Sequence, residues 1–290
     1  MDIKTMCTAN NKGGIGKSIT VQCLAEILAF LDKKVLLIDQ DPNSNLSRAF
    51  GNLKIDSEAV LEGRILPDEK EWNISELYNF RLTKREEVLP LIKPTQIENI
   101  FIIPSSKRHV QTIKKMLISG SSGNMETILS RAVKSIMDLF DYIIIDNPGE
   151  DDLMVTNAII ASQLVLIPVQ TERNSQKGLV EIVSRINKLK EVYDLDLTYR
   201  AFIVNVNPRT TLYKEYVETY IKIIPEYFIN YPIRPDANAV RVLDSEKPIS
   251  VLDKYYRARF VQDYIKLING LDILSAKSIK KLKSIMNQNN

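Results

Sequence analysis

Short apolar runs rich in β-branched residues recur along the chain: Thr5–Ala9, Val35–Ile38, Ile100–Ile103, Tyr142–Ile145, Leu164–Val169 and Ala201–Val206. Each is brief and scarcely alternates between apolar and polar positions, as a strand does when both its faces are covered. Between the first two runs, Ser18–Leu31 places Val21, Leu24, Leu28 and Leu31 at helical spacing on one face. Asp32-Lys33-Lys34 then turns the chain into the next run. Strand, helix and strand in this order predict an α/β fold, a doubly wound and mostly parallel sheet with helices on both faces.

Residues 51–99 fit less well. Gly63, Pro67, Pro90 and Pro94 interrupt them, with charges between, and predict a helical excursion on the sheet. Gly120-Ser121-Ser122-Gly123 reads as a loop before a helix at about 125–139. The expected organisation is one domain over residues 1–270 and a basic helix or tail over 271–290, with a frayed end at Asn287–Asn290.

Composition narrows the class. The 290 residues are 44% hydrophobic and 26% charged, enough to build a large core without disulfides or a structural metal. A net charge of +3 does not by itself mark a nucleic-acid binder, so any basic surface must be local. Two cysteines, Cys7 and Cys23, lack metal-ligand spacing and suit a reducing, cytoplasmic compartment. The start Met1-Asp2-Ile3-Lys4 leads directly into motif residues, with no signal-peptide pattern. No run approaches the roughly 20 apolar residues of a membrane span.

The sharpest chemical signal is Asn10-Asn11-Lys12-Gly13-Gly14-Ile15-Gly16-Lys17-Ser18, lying after a strand and opening a helix. Glycines let the backbone turn so that successive N–H groups face phosphate oxygens, and the helix N-terminus adds positive potential. Lys17 is placed to reach β- and γ-phosphates and Ser18 to ligate Mg²⁺. The strict G-x-x-x-x-G-K-[ST] pattern fails, because Asn11 holds its first glycine position. The form present is K-G-G-x-G-K-[ST], which adds Lys12.

A nucleotide–Mg²⁺ site also needs carboxylates at the carboxyl edge of the sheet. Two runs end that way: Val35-Leu36-Leu37-Ile38-Asp39-Gln40-Asp41-Pro42, and Tyr142-Ile143-Ile144-Ile145-Asp146-Asn147-Pro148-Gly149. Four apolar residues followed by Asp146 place that carboxylate near the metal, through water.

With these motifs in hand, the chain resembles the ParA/MinD group of P-loop ATPases. The resemblance spans most of residues 3–265. It rests on Lys12–Ser18, Leu36–Asn45, Asp141–Gly149, Thr156-Asn157-Ala158, Leu166–Gln170, Asn99–Ser106 and Glu246-Lys247-Pro248-Ile249. Asp41-Pro42 and the Ile167–Gln170 segment point to the partition branch. The resemblance implies an ATP- and Mg²⁺-dependent ATPase in which two subunits close face to face around two nucleotides. Asn11, Lys12, Gly13, Gly14, Ile15, Gly16, Lys17, Ser18 and Ile19 would cradle the phosphates, with Lys12 reaching across to the partner's. Asp41 would orient the attacking water, and Asp39 would lie near Mg²⁺ with Ser18 and Asp146. Asn205, Asn207, Pro235 and Asp236 fall where base contacts are expected. The closed homodimer would bind DNA without sequence preference, on the nucleoid, and a ParB-like centromere-binding protein would stimulate slow hydrolysis and release it.

Some positions depart from the family pattern. Ile19 replaces a frequent hydroxyl residue, and Asn147-Pro148-Gly149 replaces the commoner T-P-P or A-P-P, its glycine implying a looser switch. Arg209 matches a family position associated with DNA contact, and Arg234, Arg241, Lys254, Arg257 and Arg259 lie in the part that helps form that surface. Three rival readings bear on the same residues. A MinD-like membrane ATPase would use the tail Leu274–Met286, where Leu274, Ile279, Leu282 and Ile285/Met286 share a face and Lys277, Lys280, Lys281 and Lys283 charge the rest; it lacks Trp or Phe, and a helix packed on the domain is favoured. A metabolic P-loop ligase would not need Lys12 in trans, and an iron-protein reductase would need cluster cysteines. A cargo-positioning ATPase would share all the chemistry. His109 has no catalytic partner in view and is expected at the surface.

Overall fold

A computed structural model of the chain describes residues 3–50, 74–78, 84–119, 125–149, 152–243, 245 and 250–287. Its centre is a seven-stranded sheet: β1 (Thr5–Thr8), β2 (Val35–Asp39), β3 (Lys93–Pro94), β4 (Ile100–Ile103), β5 (Tyr142–Asp146), β6 (Leu164–Val169) and β7 (Thr198–Ile203). The order across the sheet is β3-β4-β2-β5-β1-β6-β7. Every pairing is parallel except β3 with β4, an antiparallel edge formed by Lys93 and Pro94. The doubly wound α/β expectation therefore holds. The edge strand inside the 51–99 excursion was not foreseen, since two residues carry no periodicity.

Period-two geometry divides the apolar strands between two cores. On one face Cys7, Leu36, Ile38, Ile143, Ile145, Val165 and Ile167 pack under the helices Lys107–Ser119, Ile128–Ile136, Leu153–Ile160 and Arg173–Tyr193. On the other, Met6, Val35, Leu37, Ile144, Leu164 and Leu166 pack under Lys17–Phe30 and Arg259–Asn269. Alternate residues of one strand thus serve opposite cores, and each fully buried Leu or Ile contributes about 1.5–3 kcal/mol.

Three local expectations change. Helix Lys17–Phe30 is not one-sided: Lys17 through Ala29 are all buried, because the helices Val251–Tyr255 and Arg259–Asn269 cover the side away from the sheet. Glu26 on that outer side accepts from the Ser250 hydroxyl and the Leu252 N–H, which satisfies a buried carboxylate. The run Ala201–Val206 becomes Thr198–Ile203, with Val204 forming only an isolated bridge to Ile233. His109 is half-buried, not superficial, and burial lowers its basicity. The loop expected at Gly120–Gly123, the Glu246–Ile249 segment, Gly63 and Pro67 lie outside the described residues.

The C-terminal helix Ala276–Asn287 packs on the domain. Leu282 is buried in the second core, and the Lys281 ammonium donates to Phe30 O and Asp32 at the end of the first helix. Among the described residues no helix is long and apolar enough to cross a membrane.

Candidate nucleotide site

Parallel strands leave their carboxyl ends on one edge, and every group singled out around the glycine-rich loop lies there. The loop joins β1 to helix Lys17–Phe30. Gly14 and Gly16 have φ of 72° and 80°, a left-handed conformation that explains glycine at both positions. Asn10, buried, ties the loop down: its amide donates to Pro168 O at 2.7 Å and its Oδ1 accepts from Lys12 N at 3.1 Å. Beside the loop opens a cleft of about 320 Å³ lined by Gly13 to Ile19, Asp41, Asn43, Asn45 and Gly149 on one side. Val204, Asn205, Ile233 to Asp236, Ala239, Val240, Phe260 and Tyr264 line the other.

The two lysines of the loop differ. Lys17 is buried, lines the cleft and donates to Lys12 O at 2.9 Å. Burial depresses its basicity, and the carboxylates of Asp146 and Asp41 oppose that. Lys12 does not line the cleft. Its side chain is 40% exposed and its ammonium donates to Gln170 at 2.7 Å and Glu172 at 2.6 Å.

Asp39 and Asp146 sit side by side at the ends of β2 and β5, in register and fully buried beneath the loop. Asp39 accepts from Asp41 N, Ser47 N and the Ser47 hydroxyl, so it organises the turn that presents Asp41. Asp41 accepts from Asn43 N and reaches the cleft. Asp146 Oδ1 accepts from the Thr8 hydroxyl at 3.1 Å, whereas its Oδ2 is buried with no hydrogen-bond partner among the described residues. Burial, reinforced by repulsion from Asp39, pushes the Asp146 carboxyl up to about 8; burial pushes Asp39 up to about 6. A buried carboxylate with one oxygen left without a partner among the described residues, beside the Ser18 hydroxyl and the Lys17 ammonium, fits a divalent cation. Among the described residues no three His, Cys, Asp or Glu side chains gather into a metal cluster.

Other residues singled out in the sequence separate into two groups. Asn205, exposed and left-handed at φ 54°, lines the cleft with Pro235 and Asp236. Ile19 lines it as well. Asn207 does not: its Oδ1 accepts from Arg209 N in the exposed turn that caps helix Thr211–Ile223. Asn11 turns outward toward Glu181. Arg209, Arg241, Lys254, Arg257 and Arg259 are exposed, whereas Arg234 is bonded to Asp263 at the cleft. Cys7 and Cys23 are free, buried thiols.

Sequence reasoning missed Phe260 and Tyr264, which wall the cleft from a helix far down the chain, and Gln40, whose amide joins the Tyr78 hydroxyl to Asn147. Gln40 lies within the Leu36–Asn45 segment without being given a role, and no motif marks Phe260 or Tyr264.

A glycine-rich loop running from the first strand into a helix, above paired aspartates on neighbouring strand ends, defines a P-loop nucleotide-binding protein. Residues 3–199 match the AAA domain family. Among curated relatives, the sporulation initiation inhibitor protein Soj of Bacillus subtilis is 28% identical over 265 residues, covering 91% of this chain and 96% of that one. The chromosome partitioning protein ParA of Myxococcus xanthus is 27% identical over 203 residues, 70% of this chain and 65% of that one. Among solved structures, an ATP complex of McdA from Cyanothece superposes with a TM-score of 0.74 at 19% identity, over 94% of this chain and 98% of that one. The chain belongs to this AAA-domain family, and within it is an ATPase of the ParA type.

Proposed function

We propose that the protein is a DNA-partition ATPase in which ATP–Mg²⁺ closes two copies into a sandwich dimer, the dimer binds DNA without sequence preference, and hydrolysis releases it. The observation that carries this reading is the division of labour between the loop's lysines. Lys17 faces its own cleft, while Lys12 lies outside it, half-exposed and held at the surface by the Glu172 carboxylate and the Gln170 side-chain oxygen. Such a surface ion pair is weak, roughly 0–1 kcal/mol, so Lys12 is cheaply released to a second subunit's phosphates.

The cleft's own residues divide the remaining tasks. Backbone N–H groups of Gly13 to Ser18 bind phosphate oxygens, with Asn11 and Ile19 flanking them. Mg²⁺ would be held by the Ser18 hydroxyl and, through water, by Asp146, with Asp39 behind them, and would neutralise charge on the β- and γ-phosphates. Asp39 orders the Asp41 turn, and Asp41 orients the attacking water. Asn205, Pro235 and Asp236 meet the base, whereas Asn207, spent on the turn at Arg209, does not. Exposed Arg209, Arg241, Lys254, Arg257 and Arg259 supply phosphate contacts, individually weak and doubled in a dimer. A ParB-like partner stimulates turnover, and the protein works in the cytoplasm on the nucleoid. Leu282, on the face that a MinD-like membrane anchor would use, is buried in the core, which disfavours that reading.

Co-sedimentation with random-sequence DNA and, separately, with anionic liposomes tests the proposal, each with ATP, ADP or no nucleotide. Salt-sensitive, ATP-dependent binding to DNA alone is expected. ATP-dependent binding to liposomes alone would overturn it.

A further inference from the structure

The helix Arg259–Asn269 turns one face to the cleft. Phe260 and Tyr264 line it, and Asp263 lies between them at the spacing that places all three on one side. The Asp263 carboxylate is 6% exposed and takes three bonds from a single residue across the cleft wall. Its Oδ2 accepts from Arg234 N at 3.1 Å and Arg234 Nε at 2.8 Å, and its Oδ1 accepts from Arg234 Nη2 at 2.6 Å. Arg234 stands in the middle of the wall segment Ile233–Asp236. On one side Ile233 N donates to Ile203 O at the end of β7; on the other, Asp236 Oδ1 accepts from Asn238 N as the next helix begins. The stretch between these anchors is held by Asp263.

We infer that Asp263 is a positioning residue for nucleotide binding: through Arg234 it fixes the Ile233–Asp236 wall against which the base rests. This rests on reading the cleft as the nucleotide site. A wall fixed before the ligand arrives loses no freedom when the ligand binds, so the clamp acts on affinity for any nucleotide, triphosphate or diphosphate. It also removes Arg234 from the DNA-contacting set. The guanidinium's bidentate edge is spent on Asp263, and transferring it to a DNA phosphate would leave a buried carboxylate unpaired.

The test uses the full chain carrying Asp263→Asn, Arg234→Gln, or both, with ADP–Mg²⁺ binding by calorimetry and steady-state ATP hydrolysis. Each single change is expected to weaken ADP binding about tenfold, the scale of one charge-assisted hydrogen bond lost. KM for ATP rises in parallel while kcat stays within about twofold, as for binding that is uniform between ground and transition states. The double variant is no weaker than either single one, because both break the same clamp. At saturating ATP, Arg234→Gln sediments with DNA as the wild type does. Should Asp263→Asn fail to fold, Arg234→Gln, on the more exposed partner, decides alone. Unchanged ADP affinity in Arg234→Gln, or additive losses in the double variant, would overturn the inference, as would loss of DNA binding by Arg234→Gln with ADP affinity intact. A wild-type protein that binds no nucleotide would instead defeat the reading of the cleft itself.

Discussion

Gly149 follows β5 in the segment Asn147-Pro148-Gly149, where a looser switch was expected from the glycine. The structure gives a different reason for it. A Cβ on Gly149 would lie 2.8 Å from Gly13 N, 2.9 Å from Gly13 Cα and 3.0 Å from Lys12 C. All three are backbone atoms of the phosphate loop, and that loop cannot retreat freely: Lys12 N is held by Asn10 Oδ1 and Lys12 O by the Lys17 ammonium. The φ of Gly149 is not among the positive values, so alanine would suit its backbone and only the contact opposes it. The two explanations predict opposite signs for Gly149→Ala. If the glycine served looseness, alanine would stabilise by about 0.4–1 kcal/mol through the unfolded chain. If it serves close approach, overpacking costs about 1–3 kcal/mol and outweighs that gain. We expect a net loss and a melting temperature lower by a few degrees, about 2–4 °C per kcal/mol for a chain approaching this size. The displaced loop should also weaken ADP–Mg²⁺ binding. Thermal melting without nucleotide and calorimetric ADP titration read the two effects. A variant that melts at or above the wild-type temperature and binds ADP equally well would refute the argument.

Lys12→Ala and Lys17→Ala should each abolish ATP-dependent sedimentation with DNA, whereas Asp41→Ala should retain the ATP-bound dimer on DNA while losing turnover; wild-type-like turnover in Asp41→Ala would sink its assignment. Glu172→Gln removes an ion pair whose members are about two-fifths exposed, so stability should change by under about 1 kcal/mol while ATP-dependent dimerisation, read by light scattering, shifts to lower ATP; unchanged dimerisation would show that the pair does not restrain Lys12. Asp146 and Asp39 have folded values raised to about 8 and about 6, so the fold favours their protonated forms. That stability is complete below their unfolded values near 4 and is lost as pH rises through 6 and then 8. Without Mg²⁺ or nucleotide, the urea midpoint should therefore be lower at about pH 8.5 than at about pH 5.5, and adding ADP–Mg²⁺ should narrow the gap by favouring the ionised forms. A midpoint that does not fall with pH contradicts the burial argument.

What could be read from the sequence follows from how locally each feature is encoded. The loop Asn10–Ser18 was legible because glycine placement, a preceding strand and a following helix all lie within one short stretch, and backbone geometry at Gly14 and Gly16 demands that residue type. Asp39 and Asp146 were legible because a buried strand must end where its first charge appears, and parallel strands end on the same edge; their adjacency then follows from register. The burial of Lys17 through Ala29 on every side was not, because the outer cover comes from residues more than two hundred positions later. The clamp from Asp263 to Arg234 was hidden because its two residues lie on different elements 29 positions apart, and an arginine among other arginines reads as surface charge until the carboxylate opposite is seen. Gly149 shows the subtler failure. Its residue type was noticed, but a glycine required for space and a glycine tolerated for looseness look identical in one dimension. They separate only when the atom that would replace its hydrogen is placed against the loop across from it. The phosphate-binding half of the cleft is thus written in contiguous motifs, whereas its base-side half is assembled from single residues of distant elements, and that half is where substitutions should reveal what distinguishes this chain from its relatives.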